Sequence, residues 1–153
     1  MVFDFGRVLI FPKDLGYFGG LNDLHKILSE SPNYKLTDHF EFNSELLEFL
    51  KQQKTLKGIE FYLYTKGTIV EDPACHEFLS GFFKQVYFAN KIKFEKNDPQ
   101  SYKFLSDNIS FDPSEIIYVD DDRENTAAAE EAGLLTITFR NNMQFETEFE
   151  GYV

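Results

Sequence analysis

The chain has 153 residues, a length typical of one domain with a substantial hydrophobic core. Its formal net charge of −11 argues against a nucleic-acid-binding surface, because such a surface needs a basic footprint. No stretch is long and apolar enough to span a membrane, and the first residues show no signal-peptide pattern. A single cysteine, Cys75, excludes an internal disulfide and is compatible with a reducing cytoplasm, so we expect a cytoplasmic protein.

Strand and helix candidates alternate along the chain, which favours βαβ units and a parallel sheet. Short apolar runs predict five strands, which lie at the N-terminus and at residues 59–64, 85–89, 116–120 and 134–139. Helical spacing or turn signals predict helices at residues 21–28, 44–57, 73–81, 99–107 and 123–132, with a marginal last helix after residue 141. Residues 7–20 are predicted to be a loop.

Capping residues support four of these helices. Ser44 is predicted to cap the helix at 44–57, and Gly58 follows its end, where a left-handed residue is favoured. Asp72-Pro73 and Asp98-Pro99 each place an N-cap residue before a proline at the first helical position. Asp122 is interpreted as a cap for the helix that begins at Arg123, rather than as a metal ligand.

Two of the predicted strands end in aspartate. Asp4 follows the first apolar run, and the pair Asp120-Asp121 follows the fourth. In an open α/β sheet, ligands bind beyond the carboxyl ends of the strands, so adjacent strands would bring these carboxylates into one crevice. Like charges about 4 Å apart repel by roughly 4 kcal/mol at an effective dielectric near 20. The cluster therefore predicts a hard divalent cation with oxygen ligands, most simply Mg²⁺.

Four segments in chain order resemble the motifs of the haloacid dehalogenase superfamily, whose members are mostly Mg²⁺-dependent phosphatases. The segments are Phe3-Asp4-Phe5-Gly6-Arg7-Val8-Leu9, Leu63-Tyr64-Thr65, Lys96-Asn97-Asp98-Pro99 and Tyr118-Val119-Asp120-Asp121-Asp122-Arg123-Glu124-Asn125. The resemblance covers nearly the whole chain outside residues 10–43. It implies a Rossmann-like three-layer α/β sandwich with helices on both faces. Its mostly parallel five-stranded sheet has the order 5-4-1-2-3.

The resemblance also implies a role for each matched residue. Asp4 would attack phosphorus and form an aspartyl-phosphate, and Lys96 would neutralise the developing charge. Thr65 and Lys66, at the end of the second strand, would bind the phosphoryl oxygens.

The same resemblance implies the ligands of the cation. Mg²⁺ would be bound by Asp4, the backbone carbonyl of Gly6 and Asp121. Asp120 would be a further ligand or an outer partner, and Asn125 would orient the surrounding groups.

The chain departs from the family pattern at the first motif and in size. The common phosphatase pattern has a second aspartate two residues after the nucleophile, where it serves as general acid and base, and this chain has Gly6. We expect residues 1–153 to form a single core domain in which residues 10–43 form a flap and a much reduced cap. The active site is then open, unless a second copy of the chain covers it, so a homo-oligomer stays an alternative. The sequence predicts a phosphorylated substrate and does not determine its size.

The leading hypothesis is therefore a Mg²⁺-dependent phosphomonoesterase with no nucleic-acid or membrane partner. The first alternative is a catalytically impaired binding or scaffold protein that keeps the fold, because Gly6 lacks a general acid. The second is a 2-haloacid dehalogenase, which the acidic fourth motif argues against. Only three residues precede Asp4, so either the first strand is short or the natural chain begins further upstream.

Overall fold

A computed structural model describes all residues, 1–153, and shows a parallel five-stranded sheet between two layers of helices. The strands of the chain are β1 Val2–Phe3, β2 Ile10–Pro12, β3 Phe40–Phe42, β4 Tyr62–Thr65, β5 Gln85–Phe88, β6 Ile117–Asp120 and β7 Leu135–Thr138. The helices are α1 Leu21–Leu28, α2 Leu36–His39, α3 Ser44–Lys57, α4 Pro73–Leu79, α5 Pro99–Ile109, α6 Arg123–Glu131 and α7 Asn142–Glu150. No helix combines the length and the apolar character needed to cross a membrane.

The sheet order is β5-β4-β1-β6-β7, and all neighbouring strands are parallel. The numbers differ from the predicted order 5-4-1-2-3 because β2 and β3, which the sequence did not predict, are counted as well. Strand by strand the neighbours are those of the predicted sheet, and β1 lies at its centre. The α/β class with helices on both faces is confirmed.

Alternating side chains divide the core between the two faces of the sheet. Phe3, Leu63 and Val119 pack with residues of α1, α3, α4 and α7 in one hydrophobic cluster. Val2 and Tyr118 belong to the other cluster, which includes residues of α5 and α6. This period of two along each strand is the geometry of a pleated sheet that is buried on both faces.

The segment between β1 and β4 differs in detail from its prediction. Residues predicted as a loop contain β2, which pairs antiparallel with β3 and forms a small second sheet. The helices α1 and α2 and this small sheet occupy the segment that is predicted to form a flap and a reduced cap, and this segment is called the flap below. This two-stranded sheet escaped prediction because each strand has only three residues, too few to show a hydrophobic period.

Several element ends were also predicted wrongly. Asn43, not Ser44, caps α3, and its side chain accepts a hydrogen bond from the amide of Leu46 at 3.2 Å. The strand predicted to begin at 59 begins at Tyr62, and α4 ends at Leu79 before Gly81. The caps at Asp72, Asp98 and Asp122 are confirmed, and in each the carboxylate accepts a backbone hydrogen bond two residues further on.

Candidate active site

Three carboxylates meet at the carboxyl edge of the sheet. Asp4 directly follows β1, Asp120 is the last residue of β6, and Asp121 comes next. One ligand oxygen from each lies within 4.8 Å of the others. Because β1 and β6 are adjacent and parallel, their ends coincide, and the amide of Asp4 continues the pairing by donating to the carbonyl of Val119 at 2.8 Å. The sheet topology thus creates a concentrated negative charge in one place.

Lys96 is buried within this cluster. Its Nζ lies 2.7 Å from Oδ1 of Asp4 and 2.8 Å from Oδ2 of Asp120, and only 2% of its side chain is exposed. Asp98, two residues later, caps α5 by accepting the amide of Gln100 at 2.8 Å. The fixed start of α5 therefore holds the preceding turn, and with it Lys96, against the strand ends.

Two buried tyrosine rings lie beside the ammonium group of Lys96, and a third tyrosine packs against both rings. Nζ lies 5.2 Å from the ring centroid of Tyr64 and 5.7 Å from that of Tyr118. The ring of Tyr102 packs against both, at 5.9 Å and 4.8 Å between centroids. Such a wall limits access of water and strengthens the ion pairs that Lys96 makes.

Asp120 is the most fully engaged of the three carboxylates. Its Oδ2 accepts hydrogen bonds from Tyr118, from Nδ2 of Asn125 at 3.1 Å, and from Lys96. Its Oδ1 accepts the amide of Asp122 at 2.9 Å. Asp121 takes part in none of these ion pairs. The arrangement favours Asp120 as the anchor of Lys96 and leaves Asp4 and Asp121 better placed to bind a cation.

The environment shifts the protonation equilibria of the cluster. Burial raises the pKa of Asp4 to about 6, although Lys96 acts in the opposite direction. Burial, with the neighbouring charges of Asp4 and Asp120, raises the pKa of Asp121 to about 7. Burial also opposes the charge of Lys96, but the two carboxylates outweigh it and hold the pKa of Lys96 above its ordinary value. The cluster is therefore short of positive charge at neutral pH.

A cavity of about 230 Å³ opens over the carboxylates. The sequence-predicted site residues all line it, namely Asp4, Gly6, Thr65, Lys66, Lys96, Asp120, Asp121 and Asn125. The buried hydroxyl of Thr65 accepts the amide of Gly67 at 3.4 Å, so its own hydrogen is free to be donated to a ligand. Lys66 is exposed at the rim.

The flap contributes a further part of the cavity wall, at the start of α1. Oδ1 of Asn22 accepts the amide of Ile69 at 3.2 Å, which joins α1 to the turn after β4. A Cβ on Gly67 would lie 1.9 Å from the same oxygen, so only glycine allows this close approach. The short flap is thereby fixed beside the phosphate-binding residues predicted on β4.

Three residues of this site were missed by sequence reasoning: Arg7, Asn22 and Tyr118. Tyr118 had a detectable signal, because it stands two residues before Asp120 on one strand and must share its face. Arg7 and Asn22 had none, since each lies in or next to a turn whose path depends on the fold. Both line the cavity.

Two of the buried tyrosines near Lys96, Tyr118 and Tyr102, are expected to differ in their contribution to stability. Tyr118→Phe removes a donor from buried Asp120, and we expect it to lower the free energy of unfolding by about 1–2 kcal/mol. Tyr102→Phe removes a buried hydroxyl that has no hydrogen-bond partner, so we expect no loss of stability. Urea unfolding of the two variants measures the difference. Equal losses would contradict a bond between Tyr118 and Asp120.

A sequence profile described as "Hydrolase: haloacid dehalogenase-like hydrolase" matches residues 24–133, well over half of the chain. Among curated proteins, the chain is 30% identical over 101 residues to enolase-phosphatase E1 of Enterobacter sp. (strain 638). That match covers 61% of this chain but only 42% of the relative, so the chain spans less than half of the relative's length.

Solved structures with the same architecture share little sequence with the chain. A HAD family enzyme from Bacteroides thetaiotaomicron, crystallised as a magnesium complex, superposes with a TM-score of 0.68 at 16% identity, covering 97% of this chain and 96% of that one. A putative beta-phosphoglucomutase from Thermotoga maritima gives a TM-score of 0.65 at 18% identity, with coverages of 95% and 89%. Identities this low show a common fold alone.

Proposed function

The chain belongs to the haloacid dehalogenase-like hydrolase family, and from this premise we propose that it is a Mg²⁺-dependent phosphomonoesterase with Asp4 as nucleophile. The observation that carries the proposal is the pairing of Asp4 with buried Lys96 inside the carboxylate cluster, 2.7 Å apart. The cavity above them, about 230 Å³ with a mostly polar lining, has room for a phosphoryl group. The substrate is accordingly a phosphorylated compound.

Asp4 has the properties that a nucleophile needs. Lys96 holds one of its oxygens, Oδ1. The other oxygen, Oδ2, lies beside Gly6, which has no side chain that could cover it. A pKa of about 6 leaves the carboxylate largely ionised at neutral pH, so no separate base is required to activate it. Attack on phosphorus forms an aspartyl-phosphate and releases the alcohol as an alkoxide, which takes a proton from water. A second water then attacks the phosphorus of the aspartyl-phosphate, which breaks the bond to Asp4, releases inorganic phosphate and regenerates the carboxylate.

The remaining cavity residues bind the transferring group. The Thr65 hydroxyl and the Lys66 ammonium group would donate hydrogen bonds to the phosphoryl oxygens, whose charge is spread over three atoms in the transition state. Lys96 stays paired with Asp4 and Asp120 and offsets the charge that accumulates beside them.

The donor set fits a magnesium ion. Three carboxylates share one edge with a single buried cation, and oxygen-rich clusters of this kind are what hard divalent ions prefer. Asp4, Asp121 and the carbonyl of Gly6 would hold the ion, while Asp120 stays bound to Lys96, Tyr118 and Asn125. When bound, Mg²⁺ would neutralise the carboxylates and polarise a phosphoryl oxygen.

A second candidate function follows from Gly6. General acid–base help is typically worth 10²–10⁴-fold in rate, and the position two residues after Asp4 has no side chain to supply it. A protein that binds Mg²⁺ and phosphorylated ligands without turning them over would have the same cluster. We therefore expect hydrolysis of esters with good leaving groups, and metal binding without any turnover would favour the binding protein.

The test is hydrolysis of an aryl phosphate in the presence of Mg²⁺. Asp4→Asn removes the charge of the nucleophile, and we expect kcat to fall by about 10³-fold or more. Asp107→Asn, on the exposed side of α5, is the matched control and should keep full activity. If Asp4→Asn turns over as fast as the wild type, the proposed mechanism is wrong.

The raised pKa values predict a pH-dependent effect of Mg²⁺ on stability. Asp4 and Asp121 have native pKa values of about 6 and 7, against ordinary values of 3.8. Both groups therefore stay protonated to a higher pH in the native state than in the unfolded state. Without metal, the stability they contribute is complete below about pH 4 and is lost as the pH rises through 6 and 7. Mg²⁺ binds the ionised form, so its addition should raise Tm more at pH 8 than at pH 5.

Scanning calorimetry with Mg²⁺ and with EDTA at both pH values measures this difference. Asp121→Asn is expected to abolish most of the Mg²⁺-induced rise in Tm at pH 8. A rise of equal size at pH 5 and pH 8 would contradict binding at the three carboxylates.

A further inference from the structure

Arg7 occupies a backbone conformation that arginine rarely adopts. Its φ is +56°, in the left-handed region, and among the non-glycine residues of the chain only Ser110 shares this feature. A left-handed residue with a side chain costs about 1–2 kcal/mol relative to glycine. Outliers of this kind persist where the surrounding structure requires them, and they cluster at functional sites. The position of the side chain therefore needs an explanation.

The guanidinium group of Arg7 is fixed at the mouth of the active-site cavity. Its Nη2 donates hydrogen bonds to the carbonyls of Tyr17 and Gly19, both at 3.0 Å. These bonds use only Nη2, so the N–H groups of Nε and Nη1 remain for another acceptor. The side chain is thus oriented by the flap, while three of its five N–H donors are unused.

Arg7 also stands between two cavities. It lines the cavity over the carboxylates and also a groove of about 840 Å³ between the β2–β3 sheet and the end of β7. The groove has an aromatic lining from Phe11, Phe18 and Phe139. A ligand whose phosphate lies beside Asp4 would pass Arg7 as it extends into this groove.

The charge balance makes a cation at this point useful to an anionic substrate. The chain carries a net charge of −11, and three carboxylates line the cavity itself. Lys96 is already paired with two of them, and Thr65 and Lys66 lie at the end of β4, on the phosphate side. Arg7 is the cation that lines both the cavity and the groove, whereas Lys13 and Arg140 line the groove alone.

We propose that Arg7 binds an anionic oxyacid group, a carboxylate or a second phosphate, on the organic part of the substrate. This inference rests on the proposed function and names its substrate class: phosphate monoesters that carry a further negative group. The N–H groups of Nε and Nη1 that remain suit such a group because each can form a charge-assisted hydrogen bond with one of its oxygens.

A purely structural role for Arg7 makes a different prediction. In that case the side chain would only tether the flap at Tyr17 and Gly19, and any loosening of the flap would have the same effect. Tyr17→Phe provides that comparison, because it removes the hydrogen bond from the Tyr17 hydroxyl to the carbonyl of Gly20, at 3.0 Å, and keeps Arg7.

The experiment compares four phosphate esters of similar length that differ in their terminal group. These are phosphoglycolate, ethylene glycol bisphosphate, 2-hydroxyethyl phosphate and phosphoethanolamine. For the wild type with Mg²⁺, we expect kcat/KM for at least one of the two anionic esters to exceed that for the hydroxyl ester by about 10-fold, the value of one charge-assisted hydrogen bond. The ammonium ester should be the poorest, and the two anionic arms distinguish a carboxylate from a phosphate.

Variants of Arg7 then test the assignment. Arg7→Gly, which suits a left-handed backbone, and Arg7→Gln should reduce the anionic-to-hydroxyl ratio to within about 2-fold of unity, whereas Tyr17→Phe should preserve it. An unchanged ratio in Arg7→Gly, or an equal change in Tyr17→Phe, would overturn the proposal.

A binding measurement separates this inference from the proposed function. If no ester is hydrolysed, the phosphomonoesterase assignment fails, and calorimetric binding of phosphoglycolate, ethylene glycol bisphosphate and 2-hydroxyethyl phosphate judges Arg7 alone. Tighter binding of an anionic ester, lost in Arg7→Gly, supports the site. Equal binding of all three compounds rejects it.

Discussion

Replacing Lys96 with methionine should abolish phosphate hydrolysis and lower the free energy of unfolding by about 3–5 kcal/mol at pH 8 without Mg²⁺. The side chain is buried and holds Asp4 and Asp120 at 2.7 and 2.8 Å. Methionine has a similar length but no charge, so two buried carboxylates would lose their common counterion. Removing one partner of a buried ion pair costs more than the pair itself contributes, because the other charge stays desolvated.

Urea unfolding at pH 8 and pH 5 measures this effect. The loss should be smaller at pH 5, since Asp4, whose pKa of about 6 is already raised, can take up a proton there. Lys103→Met, at an exposed position on α5, is the matched control and should change stability by less than about 0.5 kcal/mol. A similarly small loss for Lys96→Met would contradict the buried ion-pair network.

Introducing an aspartate at position 6 is expected to increase turnover of poor substrates. Gly6→Asp would supply a general acid next to the nucleophile, an effect that is typically worth 10²–10⁴-fold. The structure has room for it, because a Cβ at Gly6 would lie 3.6 Å from Cδ1 of Leu21 and 3.9 Å from Oδ2 of Asp4, both ordinary contacts. Gly6 is not among the glycines with positive φ, so its backbone also suits a side chain.

The informative substrates are alkyl phosphates, whose leaving groups depend on a proton donor. We expect Gly6→Asp to raise kcat for these by about 10²-fold, and to change kcat for aryl phosphates much less. Gly6→Asn is the matched control, because it has the same shape without the acid. Equal rates for the two variants would mean that the added carboxyl does not act as an acid.

Gly6→Asp and Asp4→Asn together separate the two candidate functions. A wild type that binds Mg²⁺ but hydrolyses neither class of ester, together with an active Gly6→Asp variant, would identify a binding protein that lost its general acid. A wild type that already hydrolyses aryl phosphates, and that loses this activity in Asp4→Asn, would identify an enzyme.

Much of the fold could be predicted because its signals are local. The strands at the centre of the sheet are short apolar runs buried on both faces, and three helices begin at an aspartate whose carboxylate caps the first turn. The last helix, α7, was predicted as marginal, yet Phe145 and Phe149 bury their rings in the core. The β2–β3 sheet was missed, because its pairing joins segments about thirty residues apart in sequence.

For the candidate site, the sequence by itself determined which residue types are present and which strands they end. It predicted that Asp4 and Asp121 would share one edge, because parallel neighbours end together. Only the tertiary structure decided that Lys96, Tyr118 and Asn125 bind the carboxylate of Asp120. It also decided that Arg7 lies between the cavity and the groove. Those facts depend on distances between segments that are far apart in the chain, and no local pattern of residues determines such distances.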